Sequence, residues 1–210
     1  MTALLLAVRA WLDRRRHPAR HAAVISRLAN IPRPRKVLVV CTGNVCRSPY
    51  LEAVLRRELP EVRIASAGFV GFDRSVPPNA LAAAARRGID LLGFRSRTLE
   101  AHRARTADLV VVMDERQARY LVAYAGVHRW RIVVAGDLDP VVSGARTVED
   151  PWTRPIEVFE STFDRLDRCA STLIAQWRLD RVAHSATERT STTQASTAAL
   201  TPERVPQPVI

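Results

Sequence analysis

A cysteine and an arginine six positions apart, Cys41 and Arg47, bracket the loop Cys41-Thr42-Gly43-Asn44-Val45-Cys46-Arg47-Ser48. Ahead of it, Val37-Leu38-Val39-Val40 reads as a buried parallel strand. After it, Ser48-Pro49 and the run Glu52 to Arg56 read as the first turns of a helix. A short loop between a strand and a helix aims unpaired backbone N–H groups at one point. Together with the positive end of the helix dipole, they favour an oxyanion such as phosphate. The guanidinium of Arg47 can grip two of its oxygens in a bidentate fork. Cys41 sits in the same field, which favours the thiolate and makes it a nucleophile at neutral pH. Ser48 is placed to donate a hydrogen bond to that sulfur.

Two other readings of the loop fail on residue type. Half a zinc site would need further ligands, and the remaining cysteine, Cys169, lies far along the chain with no paired histidine spacing, so no metal is expected. A nucleotide-binding loop would end in Gly-Lys-Ser/Thr and hold more glycine; this one has Gly43 alone.

Cys41 to Pro49 resembles the phosphate-binding signature of the low-molecular-weight protein tyrosine phosphatases, and Asp150-Pro151-Trp152 resembles the Asp-Pro-aromatic motif that closes the chain in that family. Ser66-Ala67-Gly68, Gly88-Ile89-Asp90 and Val111-Val112-Met113-Asp114 resemble further landmarks in the same order, so the similarity spans residues 36 to 178. The resemblance implies hydrolysis of phosphotyrosine through a phosphocysteine, with no cofactor. Cys41 is then the nucleophile, Arg47 and the loop amides bind phosphate, and Asp150 is the general acid and base. Thr42 and Gly43 offer amides and room for the anion, Val45 and Cys46 complete the loop, and the resemblance gives Asn44 and Ser48 supporting roles. Trp152 is expected to wall the slot for an aromatic leaving group, with Phe69, or Phe72, as its second wall. Asp139-Pro140 is a competing Asp-Pro pair; it lacks the aromatic and reads as a turn.

The resemblance leaves two alternatives. Arsenate reductases of similar loop need further cysteines to carry a disulfide outward, and residues 70 to 100 contain none. A phosphopeptide-binding module that has lost catalysis would have no need of Cys41, Arg47 and Asp150 together. Within the phosphatases, relatives that act on phosphoarginine carry threonine at position 45, whereas Val45 offers only methyl groups. The expected partners are phosphotyrosine proteins, a bacterial tyrosine kinase among them. Cys46 beside the nucleophile could also capture an oxidised Cys41 as a disulfide.

These residues need a scaffold, and the hydrophobic periodicity supplies one. Strands are predicted at 37–41, 62–66, 108–113 and 131–135, and helices near 49–59, 77–88, 114–124 and 156–178. The alternation implies an α/β fold: an open, mainly four-stranded parallel sheet with helices on both faces and the phosphate loop after the first strand. Ligands of such sheets bind at the carboxyl ends of the strands. Ile156, Phe159, Phe163, Leu166, Cys169, Ala170, Leu173 and Trp177 repeat at helical spacing, so Cys169 reads as core.

The chain of 210 residues allows this catalytic domain, residues 36–178, plus a basic extension at 1–35 and a Ser/Thr/Ala-rich tail at 179–210 that is predicted to be disordered. Net charge is +11, but residues 1–36 hold nine basic groups against Asp13 alone, while the catalytic segment is near neutral. A nucleic-acid partner is therefore not expected. The three cysteines form no disulfide framework and no apolar run is long enough to span a bilayer, which together imply a reducing, cytoplasmic location. In the extension, Leu4, Leu5, Val8, Trp11 and Leu12 recur at helical spacing before Arg14-Arg15-Arg16. Contact of residues 1–20 with a membrane surface is thus the lesser alternative to a loose leader joined through Ile31-Pro32-Arg33-Pro34.

Overall fold

The structure, a computed structural model, describes residues 2–142 and 145–198. Four strands, β1 (Lys36–Cys41), β2 (Arg63–Gly68), β3 (Leu109–Val112) and β4 (Ile132–Val134), form one parallel sheet in the order β2-β1-β3-β4. All three pairings are parallel, with Val39 opposite Ser66 on one side and Val111 on the other. The order reverses at β1, so the loop leaving Cys41 opens at the switch point where the following connections part to either side.

Period-two alternation in β1 and β3 feeds two cores. Val37, Val39, Leu109 and Val111 face a layer built from α1 (Thr2–Ala29), α2 (Arg47–Glu58), α3 (Pro78–Ala85) and α6 (Ile156–Ala198). Leu38, Val40, Val110 and Val112 face α4 (Ala101–Thr106) and α5 (Glu115–Ala125). Both faces of the sheet are therefore dry along β1, β3 and β4, which is why those strands read as apolar runs. The α6 stripe predicted from spacing is buried from Phe159 through Trp177, and Cys169 lies within it. Burial, followed by the charge of Asp139, pushes the Cys169 thiol up to about 12.

Three features depart from the sequence reading. The short helix α4 was absent from the predicted elements; its six residues are too few to show a period. Helix α6 runs on to Ala198 through residues predicted to be disordered, because no proline interrupts the chain before Pro202. Residues 199–210, the rest of that tail, lie outside the described residues. The basic extension is not a loose leader either: its second half packs as α1 against the layer of α6. Val24 and Leu28 are buried in the larger core, and the ring N–H groups of His17 and His21 donate to the Asp139 and Asp137 carbonyls at 2.9 Å each. Arg20 donates to Asp137 Oδ1 at 3.1 Å and Arg27 to the Ile132 carbonyl at 3.0 Å. Sequence reading saw only the exposed apolar stripe of the first half and so missed the second stripe, His17, His21, Val24 and Leu28, that does the docking.

Candidate active site

The residues after β1 turn sharply before α2 begins at Arg47, two residues earlier than the proline suggested. Asn44 takes the left-handed conformation at φ 50°, which non-glycine residues adopt rarely; Asn is among the few that tolerate it. This turn points the Asn44 amide back at Cys41, with Asn44 N donating to Cys41 Sγ at 3.2 Å. Ser48 Oγ donates to the same sulfur at 3.0 Å. Two donors therefore converge on one sulfur and fix its position at the end of β1.

Behind the loop a buried polar chain fixes these donors. The Asn44 amide nitrogen donates to Ser48 Oγ at 2.9 Å and to Ser66 Oγ at 2.7 Å, while its carbonyl oxygen accepts from Arg97 N at 2.8 Å. Ser66 Oγ donates in turn to Glu52 Oε2 at 2.6 Å, which also receives Arg97 at 2.6 Å. Asn44 is thus the strained residue and also the hub that holds its own strain in place. Gly68 follows from the same packing: a Cβ there would sit 2.8 Å from Asn44 N and from the Gly43 carbonyl carbon, both backbone atoms. The Ser66-Ala67-Gly68 landmark therefore props the loop rather than touching a ligand.

The landmark at the end of β3 does the same from the other face. Asp114 caps α5 by accepting from Gln117 N at 2.9 Å, Gln117 Oε1 accepts from Met113 N at 2.9 Å, and its amide nitrogen reaches Thr42 Oγ1 at 3.4 Å.

In front of the loop lies a cavity of about 160 Å³, lined by Cys41, Thr42, Gly43, Val45, Cys46, Arg47, Val70, Arg74, Asp150 and Trp152. Arg47 is 3 % exposed; it donates to the Val148 carbonyl at 3.1 Å and pairs directly with Asp150. Trp152 N donates to Asp150 Oδ1 at 3.3 Å, so the Asp-Pro-Trp turn is closed on its own carboxylate. Cys41, Arg47 and Asp150 thus meet in one cleft although more than a hundred residues separate the first from the last. Asn44 and Ser48 stand behind the lining, fully buried.

Asp139 is elsewhere. It is fully buried, accepts from Arg165 Nε at 3.1 Å and Arg168 Nε at 2.8 Å, and takes the Val141 amide at 3.1 Å. Burial by itself would raise its pKa, yet Arg168, the Val141 amide and Arg165 outweigh it and hold the carboxyl below its usual range. Its turn geometry was legible, but its ion pairs with α6 were not. Phe69 requires a correction: it does not line the cavity and packs edge-on against Tyr120, with ring centroids 4.9 Å apart. Phe72 is also absent from the lining and is 76 % exposed. Beside Trp152 the cavity is lined instead by Val70 and Arg74, one and five positions beyond Phe69.

Arg74 was missed by sequence reading. Its guanidinium donates to the Gly43 carbonyl at 2.8 Å and the Val70 carbonyl at 3.1 Å, and lies 5.7 Å from the Trp152 ring centroid. Among the many arginines of this chain nothing in spacing marks it out. Cys46 is buried in the loop, and burial, then the neighbouring Cys41, push its thiol well up. Among the described residues no cluster of His, Cys, Asp and Glu could hold a metal ion.

Comparison with known proteins agrees with this geometry. A family model described as low molecular weight phosphotyrosine protein phosphatase matches residues 36–183. The low molecular weight protein-tyrosine-phosphatase Etp of Escherichia coli K12 is 35 % identical over 136 residues, covering 64 % of this chain and 88 % of that protein. The tyrosine phosphatase Wzb of Escherichia coli K30, solved with sulphate, superposes with a TM-score of 0.63 at 29 % identity, over 69 % of this chain and 99 % of Wzb. The YwlE arginine phosphatase superposes with a TM-score of 0.62 at 26 % identity, over 70 % of this chain and 97 % of that one. The docked part of α1 lies outside the matched family segment, whereas the loop, the Ser66 and Asp114 supports and the Asp150 turn lie within it. A cysteine and arginine cradle at the end of β1, facing an Asp-Pro-Trp turn within the matched residues 36–183, makes this chain a member of the low-molecular-weight protein tyrosine phosphatase family.

Proposed function

We propose that this enzyme hydrolyses phosphotyrosine in proteins through a phosphocysteine on Cys41. The observation that carries the reading is the single cleft in which Cys41, Arg47 and Asp150 meet beside Trp152. In the first step the Cys41 thiolate attacks phosphorus in line, the S–P bond forms as the P–O bond to tyrosine breaks, and Asp150 gives its proton to the departing phenolate. Arg47 and the loop amides stabilise the equatorial oxygens through that passage. In the second step ionised Asp150 takes a proton from water, whose oxygen attacks phosphorus, and the Cys41 thiolate leaves. The hydrogen bonds from Ser48 and Asn44 stabilise the sulfur as it regains its charge.

The Arg47 to Asp150 pair gives substrate binding a second effect. A phosphate dianion takes the Arg47 fork, so the carboxyl that Arg47 held is released to face the leaving oxygen. The substrate therefore arms its own acid. Trp152, Val70 and the stem of Arg74 offer the flat apolar walls an aromatic ester needs. By the same reasoning phosphoarginine is the poorer substrate, because the cavity presents Val45 where a hydroxyl would be needed for the guanidinium. An arsenate-reducing cycle lacks support, since Cys169 lies in the α6 core away from the cleft. Tyrosine kinases that phosphorylate themselves are the class of protein substrate this reading favours.

The test is turnover by the purified chain in the presence of a chelator. Phosphotyrosine peptide and p-nitrophenyl phosphate should be hydrolysed, phosphoarginine at least about a hundredfold less well in kcat/KM, a factor equivalent to about 2.7 kcal/mol of transition-state discrimination. Preference for phosphoarginine, or loss of activity to the chelator, would overturn the reading.

A further inference from the structure

Helix α1 carries apolar side chains on two sides, and only one side meets the rest of the protein. On a repeat of about 3.6 residues, His17, His21, Val24 and Leu28 stack along one stripe, which is the docked one. Leu4, Val8, Trp11 and Arg15 stack along another stripe, and the thirteen positions from Leu4 to His17 place it on the far side of the helix. Leu4 is 72 % exposed, Leu5 65 %, Val8 46 % and Trp11 47 %. This apolar stripe points away from the core its own helix helps to build, so folding does not account for it.

The charges around the stripe indicate what would cover it. Arg14, Arg15 and Arg16 are all exposed, and the Arg15 guanidinium lies 4.4 Å from the Trp11 ring centroid, at the rim of the apolar surface. The one acid nearby, Asp13, is turned to the docked side, where it meets Arg20 at 3.5 Å and the Arg146 amide at 3.5 Å. Arg15 thus continues the apolar far stripe, and the exposed Arg14 and Arg16 flank it on either side of the helix. Pro18 marks the junction between the two halves; it lacks an N–H, leaving the Arg14 carbonyl without its partner within the helix. No helix among the described residues is long and apolar enough to cross a membrane, so this segment would lie along a surface rather than span it.

We propose that residues 2–16 of α1 bind the surface of an anionic lipid bilayer, with Leu4, Leu5, Val8 and Trp11 in the acyl boundary and Arg14, Arg15 and Arg16 among the lipid phosphates. The docked half of α1, held through His17, His21, Val24 and Leu28, then fixes the catalytic body at that surface. This is a property of the extension and stands apart from the chemistry of the cleft.

Co-sedimentation of the full chain with vesicles tests it. The protein should sediment with vesicles of phosphatidylglycerol and phosphatidylcholine and at least about tenfold more weakly with phosphatidylcholine alone. The triple variant Leu4→Ser, Val8→Ser, Trp11→Ser should lose at least about tenfold in partitioning, as expected for three buried apolar side chains. Replacing Arg14, Arg15 and Arg16 together by glutamine should cost about a hundredfold. Both variants should turn over p-nitrophenyl phosphate like the parent, which shows that they are folded. Absence of binding to anionic vesicles, equal binding to neutral ones, or undiminished binding by the apolar variant would each overturn the proposal. So would self-association through this stripe in place of vesicle binding, which would assign the face to a second copy of the chain.

Discussion

Two aspartates, each followed by proline, sit eleven residues apart with opposite surroundings, and exchanging each for alanine should separate chemistry from stability. Asp150 lines the cleft with its side chain 45 % exposed, and its partner is Arg47. Loss of a general acid slows a reaction by roughly 10² to 10⁴, more for a more basic leaving group. Asp150→Ala should therefore lower kcat for phosphotyrosine by at least about a hundredfold and for p-nitrophenyl phosphate by far less. Its melting temperature in phosphate buffer, where the anion replaces the carboxylate at Arg47, should stay within about 3 °C, since a half-exposed ion pair is worth about 1 kcal/mol or less. Asp139 has no exposed side-chain surface and binds both Arg165 and Arg168. Removing it strands two guanidinium groups, at a cost of about 3 kcal/mol, or about 10 °C of melting temperature in a chain of this size. With folded fraction matched, its kcat should change by less than about tenfold on either substrate. The pH dependence of the stability loss follows from the lowered pKa of Asp139. Its contribution is complete above the unfolded aspartate range near about pH 4 and fades as pH falls through the lower folded value, so parent and Asp139→Asn should converge only in strong acid. A leaving-group-dependent loss in Asp139→Ala with normal kinetics in Asp150→Ala would refute the assignment. Equal losses in both would point to a disturbed loop.

Arg74→Ala removes the cation that braces Gly43 and faces Trp152, so kcat/KM should fall about threefold to thirtyfold by the same factor for both substrates, a pattern unlike that of the acid. Iodoacetate at neutral pH should label Cys41 alone, because burial keeps Cys46 and Cys169 protonated; peptide mapping that finds either of them labelled first in native protein would contradict the burial argument. Leu28→Ala should destabilise the catalytic body by about 3 kcal/mol in a denaturant titration, since Leu28 is fully buried in the larger core; a change below about 0.5 kcal/mol would mean that α1 is not part of the folded unit.

Much of the fold was legible because its signals are local. Strands β1, β3 and β4 are buried on both faces and therefore appear as short valine-rich runs, and Phe159 to Trp177 announces α6 by period alone. The loop Cys41 to Ser48 was legible for a related reason: strand, loop and helix are consecutive, so the cradle is encoded in one short segment. What stayed hidden is set by contacts distant in sequence. The Asn44 to Ser66 to Glu52 chain, the two arginines on Asp139 and the Arg74 contact with Gly43 join residues from 14 to 31 positions apart, and no spacing rule ties them together. Phe69 was misplaced because composition names an aromatic near the mouth but not the side of the chain it leaves from. The docked half of α1 escaped notice since its stripe is interrupted by histidines, whose ring N–H groups find backbone carbonyls only in the folded chain.

The central claim is that Cys41 carries the phosphoryl group between two half-reactions. Rapid acid quenching of the enzyme during turnover of a phosphotyrosine peptide, followed by mass mapping, tests it most directly. One phosphoryl group on the peptide that contains Cys41 should accumulate before the steady state and vanish when substrate is exhausted, and Cys41→Ser should neither accumulate it on the same timescale nor turn over. A phosphoryl group on another residue, or steady turnover by Cys41→Ser, would contradict the account.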